Sequence, residues 1–345
     1  MSCVGILANP MSGKDVRRLA ARASTTTPEI KRDQVARAAI GAVAGGADRL
    51  LVIDEPFRIS TSAVETLGLS ATIEKLDIGA ELRATDTVRA VEEMRSRDCR
   101  ALIVLGGDGT NRIVAKAWPD APLLPLSTGT NNVFPVNLEA TSAGLAAGLV
   151  ASGKAPLDVA TRRVKQVHVA FEDEPADLAL IDAAHVVDDA VGNYMPFEPQ
   201  KLRRVVLSRA EPTSVGMSPI GGLLEPCSEA DDYGVEVVCG GPEDPGRDLL
   251  VPLSPGLFRA VRVVSARKLP LGETVSVVGP GLLAFDGDRE RNLADGQEVR
   301  LSVRRDGPLR IDAERTLRHA VASGAFDKVP HWHDIFDEMR GVDCC

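Results

Sequence analysis

Asp108 stands in the middle of a glycine turn, within the run ALIVLGGDGTNRIVAKA from Ala101 to Ala117. An apolar strand, a Gly-rich turn and a helix in that order are how phosphate-binding loops are built, because the first N–H groups of the helix lack intrahelical partners and face the turn. A loop that only cradled phosphate would gain from backbone donors and positive charge. A carboxylate there repels the ligand unless something offsets it. Two chemistries do so: a divalent cation that bridges carboxylate and phosphate, or a substrate hydroxyl that the carboxylate holds and deprotonates. Gly106, Gly107 and Gly109 let the backbone turn tightly around Asp108, and Thr110 and Asn111 open the next helix with free N–H groups.

Two other polar loops follow predicted strands. LSTGTNNVFP, Leu126 to Pro135, gathers Thr128, Gly129, Thr130, Asn131 and Asn132, whose hydroxyl, amide and backbone groups donate to phosphate or ribose oxygens without adding net charge. ANPMSGKD, Ala8 to Asp15, puts Asn9, Ser12, Gly13 and Lys14 just beyond the first strand, although the Walker A spacing G-x-x-x-x-G-K-[ST] is absent. Further along, AFDGDRE carries Asp286 and Asp288 about a D-G turn. Taken singly, each segment also reads as an ordinary turn or connector. His331 and His333 in HWH alternate, and no cysteine or third histidine completes a transition-metal set. A G-x-S-x-G elbow is absent, and so is the G-x-G-x-x-G that a dehydrogenase would carry after its first strand.

The elements that must hold these loops are legible in the first half of the chain. VGILAN (4 to 9), a helix from about Asp15 to Ala23, another near Lys31 to Ala44, RLLVID, ATIEKLD, the helix TDTVRAVEEMRSR capped by Thr85, ALIVLG, a helix after Thr110 and PLLPLS alternate as strand and helix. Repeated strand-helix-strand units predict a parallel sheet covered by helices, with the loops at Gly106 and Ser127 on its carboxyl edge, where such sheets bind ligands. From about Leu157 the pattern changes to alternating strands broken by Gly, Pro and Asp, among them LALIDAAHVV (178 to 187), which predicts an antiparallel sandwich. A last helix, near Arg315, ends at Gly324. The division expected is an α/β domain over residues 1–155, an all-β domain over 156–312, and a C-terminal helix and tail over 313–345 that packs back on the first domain.

Composition narrows the functional classes. At 345 residues and 44% hydrophobic content the chain can bury two cores. A net charge of -9 and 3% aromatic residues argue against a nucleic-acid partner, which wants a basic surface and stacking platforms. No apolar run approaches the length of a membrane span, MSCVGILANP lacks the basic flank of a signal peptide, and six cysteines show no C-x-x-C pairing. The expectation is a cytoplasmic protein with neither membrane nor nucleic-acid partner.

The three loops together, in this order, resemble the superfamily that contains NAD kinases and diacylglycerol kinases. The start of the chain, STGTNNVFP and AFDGDRE are most similar to its AcoX branch, the ATP-NAD-kinase-like proteins associated with acetoin catabolism. The resemblance implies an α/β domain and an all-β domain packed across a cleft, with ATP and Mg2+ as cofactors. Asn9, Ser12, Gly13, Lys14, Gly106, Gly107, Gly109, Thr110, Asn111, Thr128, Gly129, Thr130, Asn131 and Asn132 would then lie about the nucleotide. Asp108 would be the metal ligand or the base, Asp286 a second catalytic carboxylate, and Asp182, Asn193 and Asp288 acceptor-side groups. NAD kinases grip the dinucleotide with an Asn-Glu pair. No such dipeptide occurs in this chain, and Ile181 and Asp182 fall where it would stand. The expected partner is a small-molecule acceptor, NAD or a small hydroxyl-bearing metabolite, with homodimerisation implied by analogy. The alternative is a nucleotide-binding accessory protein that keeps the fold with little catalysis.

Overall fold

The computed structural model describes residues 1–13, 22, 26–129, 132–193, 195–327 and 335–336. Lys14, Thr130, Asn131, the helix expected from Asp15, and His331 and His333 lie outside the described residues or begin there. Among the described residues the α/β part holds β1 (Cys3–Ala8), α1 (Pro28–Ala44), β2 (Arg49–Asp54), α2 (Ile59–Glu65), β3 (Thr72–Asp77), α3 (Ala84–Ser96), β4 (Ala101–Gly106), α4 (Asp108–Ala117), β5 (Pro122–Ser127), α5 (Ala140–Ala151) and α6 (Leu157–Ala160). Then follow β6 (Thr161–Arg163), β7 (Gln166–Phe171), β8 (Asp177–Ala179), β9 (Asp182–Val186), β10 (Leu202–Leu207), α7 (Ser218–Gly222), β11 (Tyr233–Cys239), β12 (Arg247–Ser254) and β13 (Leu257–Pro270). The chain continues through β14 (Thr274–Val278), β15 (Gly281–Phe285), β16 (Asp288–Leu293), β17 (Glu298–Arg304), β18 (Leu309–Ile311) and α8 (Ala313–Ala322).

The first sheet runs β3-β2-β1-β4-β5-β18-β6, parallel throughout except where β6 joins β18 antiparallel. Its central strands β1, β4 and β5 are buried because helices cover both faces, α1, α2, α5 and α8 on one and α3 and α4 on the other, while the edge strand β3 is largely open. The chain leaves β1 towards β2 and β3 and returns to add β4 on the opposite side. The loops after β1 and β4 therefore diverge at a topological switch point, where a crevice opens at the carboxyl ends of the strands. Among the described residues no helix is long and apolar enough to cross a membrane.

The second part is antiparallel. A seven-stranded sheet, β12-β13-β11-β10-β9-β15-β16, packs against a four-stranded sheet, β14-β17-β7-β8, through a shared core that includes Val167, Val206, Phe285 and Leu301. The α/β and all-β architecture expected from the sequence is the one observed. Three local readings change. LALIDAAHVV is two strands in different sheets, β8 and β9, because the chain turns at Leu180 and Ile181 to give its amides to Asp286. The α3 helix starts at Ala84, with Asp86 accepting the Arg83 amide at 3.0 Å in place of a Thr85 cap. Residues 161–163 and 309–311, assigned by sequence to the β part, add β6 and β18 to the first sheet.

Candidate active site

The glycines of the turn at Asp108 are spacers for close packing. A Cβ on Gly106 would lie 2.7 Å from the Thr110 side chain, one on Gly107 would lie 3.0 Å from Asn132 Oδ1, and one on Gly109 would lie 2.7 Å from Asp288 Oδ2. A side chain at any of the three would push a neighbour aside, so the turn sits close against the β5 loop on one side and the second part of the chain on the other. Gly107 precedes the helix in extended backbone and Asp108 is its first helical residue. Asn111, buried, donates from Nδ2 to the Gly107 carbonyl at 2.9 Å and closes the turn from below.

The other loops are tied to this one by side chains. Asn9 Nδ2 donates to Thr110 Oγ1 at 2.8 Å, Thr128 and Ser12 share a hydroxyl hydrogen bond at 2.8 Å, and Asn132 Nδ2 donates to Ser127 Oγ at 3.0 Å. Gly13 takes a left-handed φ of 75° with its α-carbon against the Thr128 carbonyl, which a side chain would strike. Beneath the loop after β1 lies Lys31, 0% exposed, donating from Nζ to the carbonyls of Asn9 (2.7 Å), Pro10 (3.0 Å) and Ser12 (2.6 Å). Three carbonyls of the loop are thus gathered on one buried ammonium. Sequence reasoning missed Lys31, since a lysine in the first turn of PEIKRD reads as a solvated helix residue. Lys31→Met should leave those carbonyls without their donor and loosen the loop. The expected result is a nucleotide affinity about tenfold lower, read by titration calorimetry with ATP. An unchanged Kd would mean the loop is held without it.

The charge at Asp108 is offset mainly by backbone. Its carboxylate accepts the Val133 amide (3.1 and 3.2 Å) and the Phe134 amide (2.9 Å) from the loop after β5. These donors favour the ionised form, yet burial and then the neighbouring Asp286 charge outweigh them and push the carboxyl up to about 7. A carboxylate held near neutrality is suited to accept a hydroxyl proton. Asp286 follows β15 with a left-handed φ of 50°, an uncommon state for a non-glycine residue that marks a constrained turn. Its carboxylate accepts the amides of Leu180 (2.9 Å), Ile181 (2.7 Å) and Asp182 (3.2 Å), and its own amide donates to the Asp182 carbonyl at 3.0 Å. The Asp286 side chain is 0% exposed, and burial raises its carboxyl despite those donors and Arg112. Its charge therefore acts on the neighbouring Asp108, while its oxygens are taken up by the backbone.

Between the two parts of the chain lies a cavity of about 640 Å³. Asn9, Ser12, Gly13, Gly107, Asp108, Gly109, Thr110, Thr128, Gly129 and Asn132 line it from the α/β side, and Asp182, Asp286 and Asp288 from the β side. Gly106 and Asn111 stay outside the lining and support the loop. Asn193 is not brought to the cavity, because its side chain is spent on Asp189 (2.6 Å) and on the Met195 amide (2.9 Å). The sequence reading also missed the apolar walls, Ile53, Ile78, Leu82 and Ile113 on one side and Phe197, Val215, Met217 and Leu253 on the other. Among the described residues no group of three or more His, Cys, Asp or Glu side chains is placed to hold a metal ion.

A doubly wound nucleotide-type sheet, an acidic glycine turn at its switch point and an antiparallel domain closing over it define a kinase fold of the NAD kinase type. Residues 4–154 match the ATP-NAD kinase N-terminal domain, and residues 165–306 match the acetoin catabolism protein X C-terminal domain. A curated relative, acetoin catabolism protein X of Cupriavidus necator, is 32% identical over 330 residues, covering 92% of each chain. The chain belongs to the acetoin catabolism protein X family. Among solved structures, yeast NADH kinase complexed with NADH shares the fold at a TM-score of 0.52 and 12% identity, over 95% of this chain and 89% of that one.

Proposed function

We propose that the protein is an ATP-dependent phosphotransferase that moves the γ-phosphoryl group to a hydroxyl of a small, uncharged metabolite connected with acetoin breakdown. The observation that carries this reading is Asp108: a carboxylate at the head of a helix, on the crevice of the sheet, held near neutrality and facing a cavity closed by a second domain. The acceptor hydroxyl gives its proton to Asp108 as its oxygen bonds to the γ-phosphorus, and the β–γ bridging oxygen departs with ADP. Magnesium enters as part of the MgATP substrate, which needs no protein cage.

The lining supports an acceptor other than NAD. Among the described lining residues Arg83 is the basic side chain, set against Glu55, Asp86, Asp108, Asp182, Asp286 and Asp288. MgATP brings the cation that offsets its own phosphates, whereas a dinucleotide pyrophosphate brings none and would meet little compensating charge among these residues; an uncharged hydroxy-ketone or diol meets apolar walls and hydrogen-bond acceptors. The same acidic lining favours a second reading, an accessory protein that binds nucleotide weakly and transfers nothing. Incubation with ATP, magnesium and a panel of acetoin, vicinal diols, sugars and NAD decides between them through ADP release, with the product identified by phosphorus NMR. Acceptor-dependent release is expected with an uncharged hydroxyl compound. ATP binding without release for any acceptor would overturn the kinase reading.

A further inference from the structure

We propose that Arg112 is a positioning residue that clamps the Asp286 turn of the β domain to the helix that begins at Asp108. Arg112 lies four residues beyond Asp108, on the same face of α4. Its side chain is 4% exposed, an unusual burial for a guanidinium, and its partners all come from the other part of the chain. Its Nη2 donates to the Glu290 carboxylate, Nη1 lies 3.6 Å from Asp177 and Nε 3.9 Å from Asp286. The guanidinium also sits 5.6 Å from the Phe285 ring centroid.

Each contact fixes a different piece of the cleft. Asp177 opens β8, Asp286 and Glu290 flank the D-G turn and β16, and Asp286 in turn holds the Leu180 to Asp182 amides where the chain passes from one β sheet to the other. Four residues before Arg112, Asp108 raises a like charge towards Asp286. Arg112, from the helix that Asp108 begins, lies 3.9 Å from Asp286 and offsets the charge of that buried carboxyl at the domain seam. Lys116, one turn further on, extends the same face with a 2.9 Å ion pair to Asp177. A planar guanidinium can face three carboxylates at once, which a lysine ammonium cannot do in one geometry. The charge of Arg112 also works against burial to hold the Asp286 carboxyl down.

The clamp rests on the phosphoryl-transfer reading only for its catalytic readout, so its test has two arms. In Arg112→Gln, amide hydrogen exchange should speed by about tenfold or more over 180–182 and 285–290, with β1 and β2 unchanged. Acceptor-dependent turnover should fall about 100-fold while ATP Kd stays within about twofold, since a misplaced acceptor side costs chemistry and spares the nucleotide loops. Unchanged exchange over those segments, or faster local exchange with turnover intact, would overturn the proposal. Should Arg112→Gln fail to fold, Arg112→Lys and Glu290→Gln decide by the same local exchange. A wild-type chain that transfers no phosphate refutes the kinase reading, and the clamp is then judged by exchange alone.

Discussion

Asp108→Asn is expected to lower acceptor-dependent phosphate transfer by about 10²- to 10⁴-fold, the range over which a positioned base contributes, while the fold persists. Asn is close to isosteric, and its Oδ1 can still accept the Val133 and Phe134 amides that Asp108 holds through one oxygen at 3.2 and 2.9 Å. The pH dependence separates this loss from a general defect. With the carboxyl pushed up to about 7, the wild-type rate should rise as the pH passes through that value, and the residual rate of the variant should show no such limb.

Stability should move in the opposite sense to activity. A carboxyl whose folded value lies above its unfolded one contributes stability that is fully present below the unfolded value near 3.8 and is lost as the pH rises through about 7. The penalty for keeping Asp108 ionised above that range corresponds to about 4 kcal/mol at most. Asp108→Asn does not carry it, so the variant should melt higher than wild type at pH 8 and lose that advantage by pH 4. A variant that is inactive and also less stable at pH 8 would assign Asp108 to the scaffold. That signature, function held at the expense of stability, is what a base buried beside a second carboxylate should leave.

What the sequence made legible follows from local chemistry. Strands β1, β2, β4 and β5 read as apolar runs because they are buried on both faces, and the loops after β1, β4 and β5 read as sites because their Gly, Asn, Ser and Thr are out of place between such runs. What stayed hidden depends on tertiary partners. Lys31 and Arg112 carry no local mark of burial, since a buried cation differs from a solvated one only in what surrounds it. Ile181 looked like the interior of one strand, and only its amide's bond to Asp286, 2.7 Å long and 105 residues away in sequence, explains why the strand breaks there. The Asp286 turn was flagged by its D-G dipeptide, but the Leu180, Ile181 and Asp182 amides it holds and the Arg112 guanidinium 3.9 Å away come from distant parts of the chain.

The helix that sequence reading passed over, α5, yields the largest expected effect on the fold. ATSAGLAAGLVA is uniformly apolar and small, so it shows no amphipathic period, and its glycines argue against a helix by propensity. The helix forms because it lies against α1 at a separation only small residues allow. A Cβ on Gly144 would fall well inside contact distance of the Ala38 carbonyl, one on Gly148 of the Ala42 carbonyl, and one on Gly41 of the Thr141 carbonyl. Two effects therefore oppose each other in Gly144→Ala. Helix propensity favours alanine by about 1 kcal/mol. Steric overlap with a backbone oxygen, which no rotamer change relieves, forces α1 and α5 apart and costs about 1–3 kcal/mol, with further loss where α5 rests on β1 and β4. Overlap should win, with Gly144→Ala lowering the midpoint of thermal unfolding and Gly144→Ala with Gly148→Ala failing to give a stable fold. Because β1 and β4 carry the loops at Asn9 and Asp108, the single variant should also weaken ATP binding, measured on the folded fraction. A melting temperature equal to or above wild type would show that the helices part without cost and that propensity governs this interface.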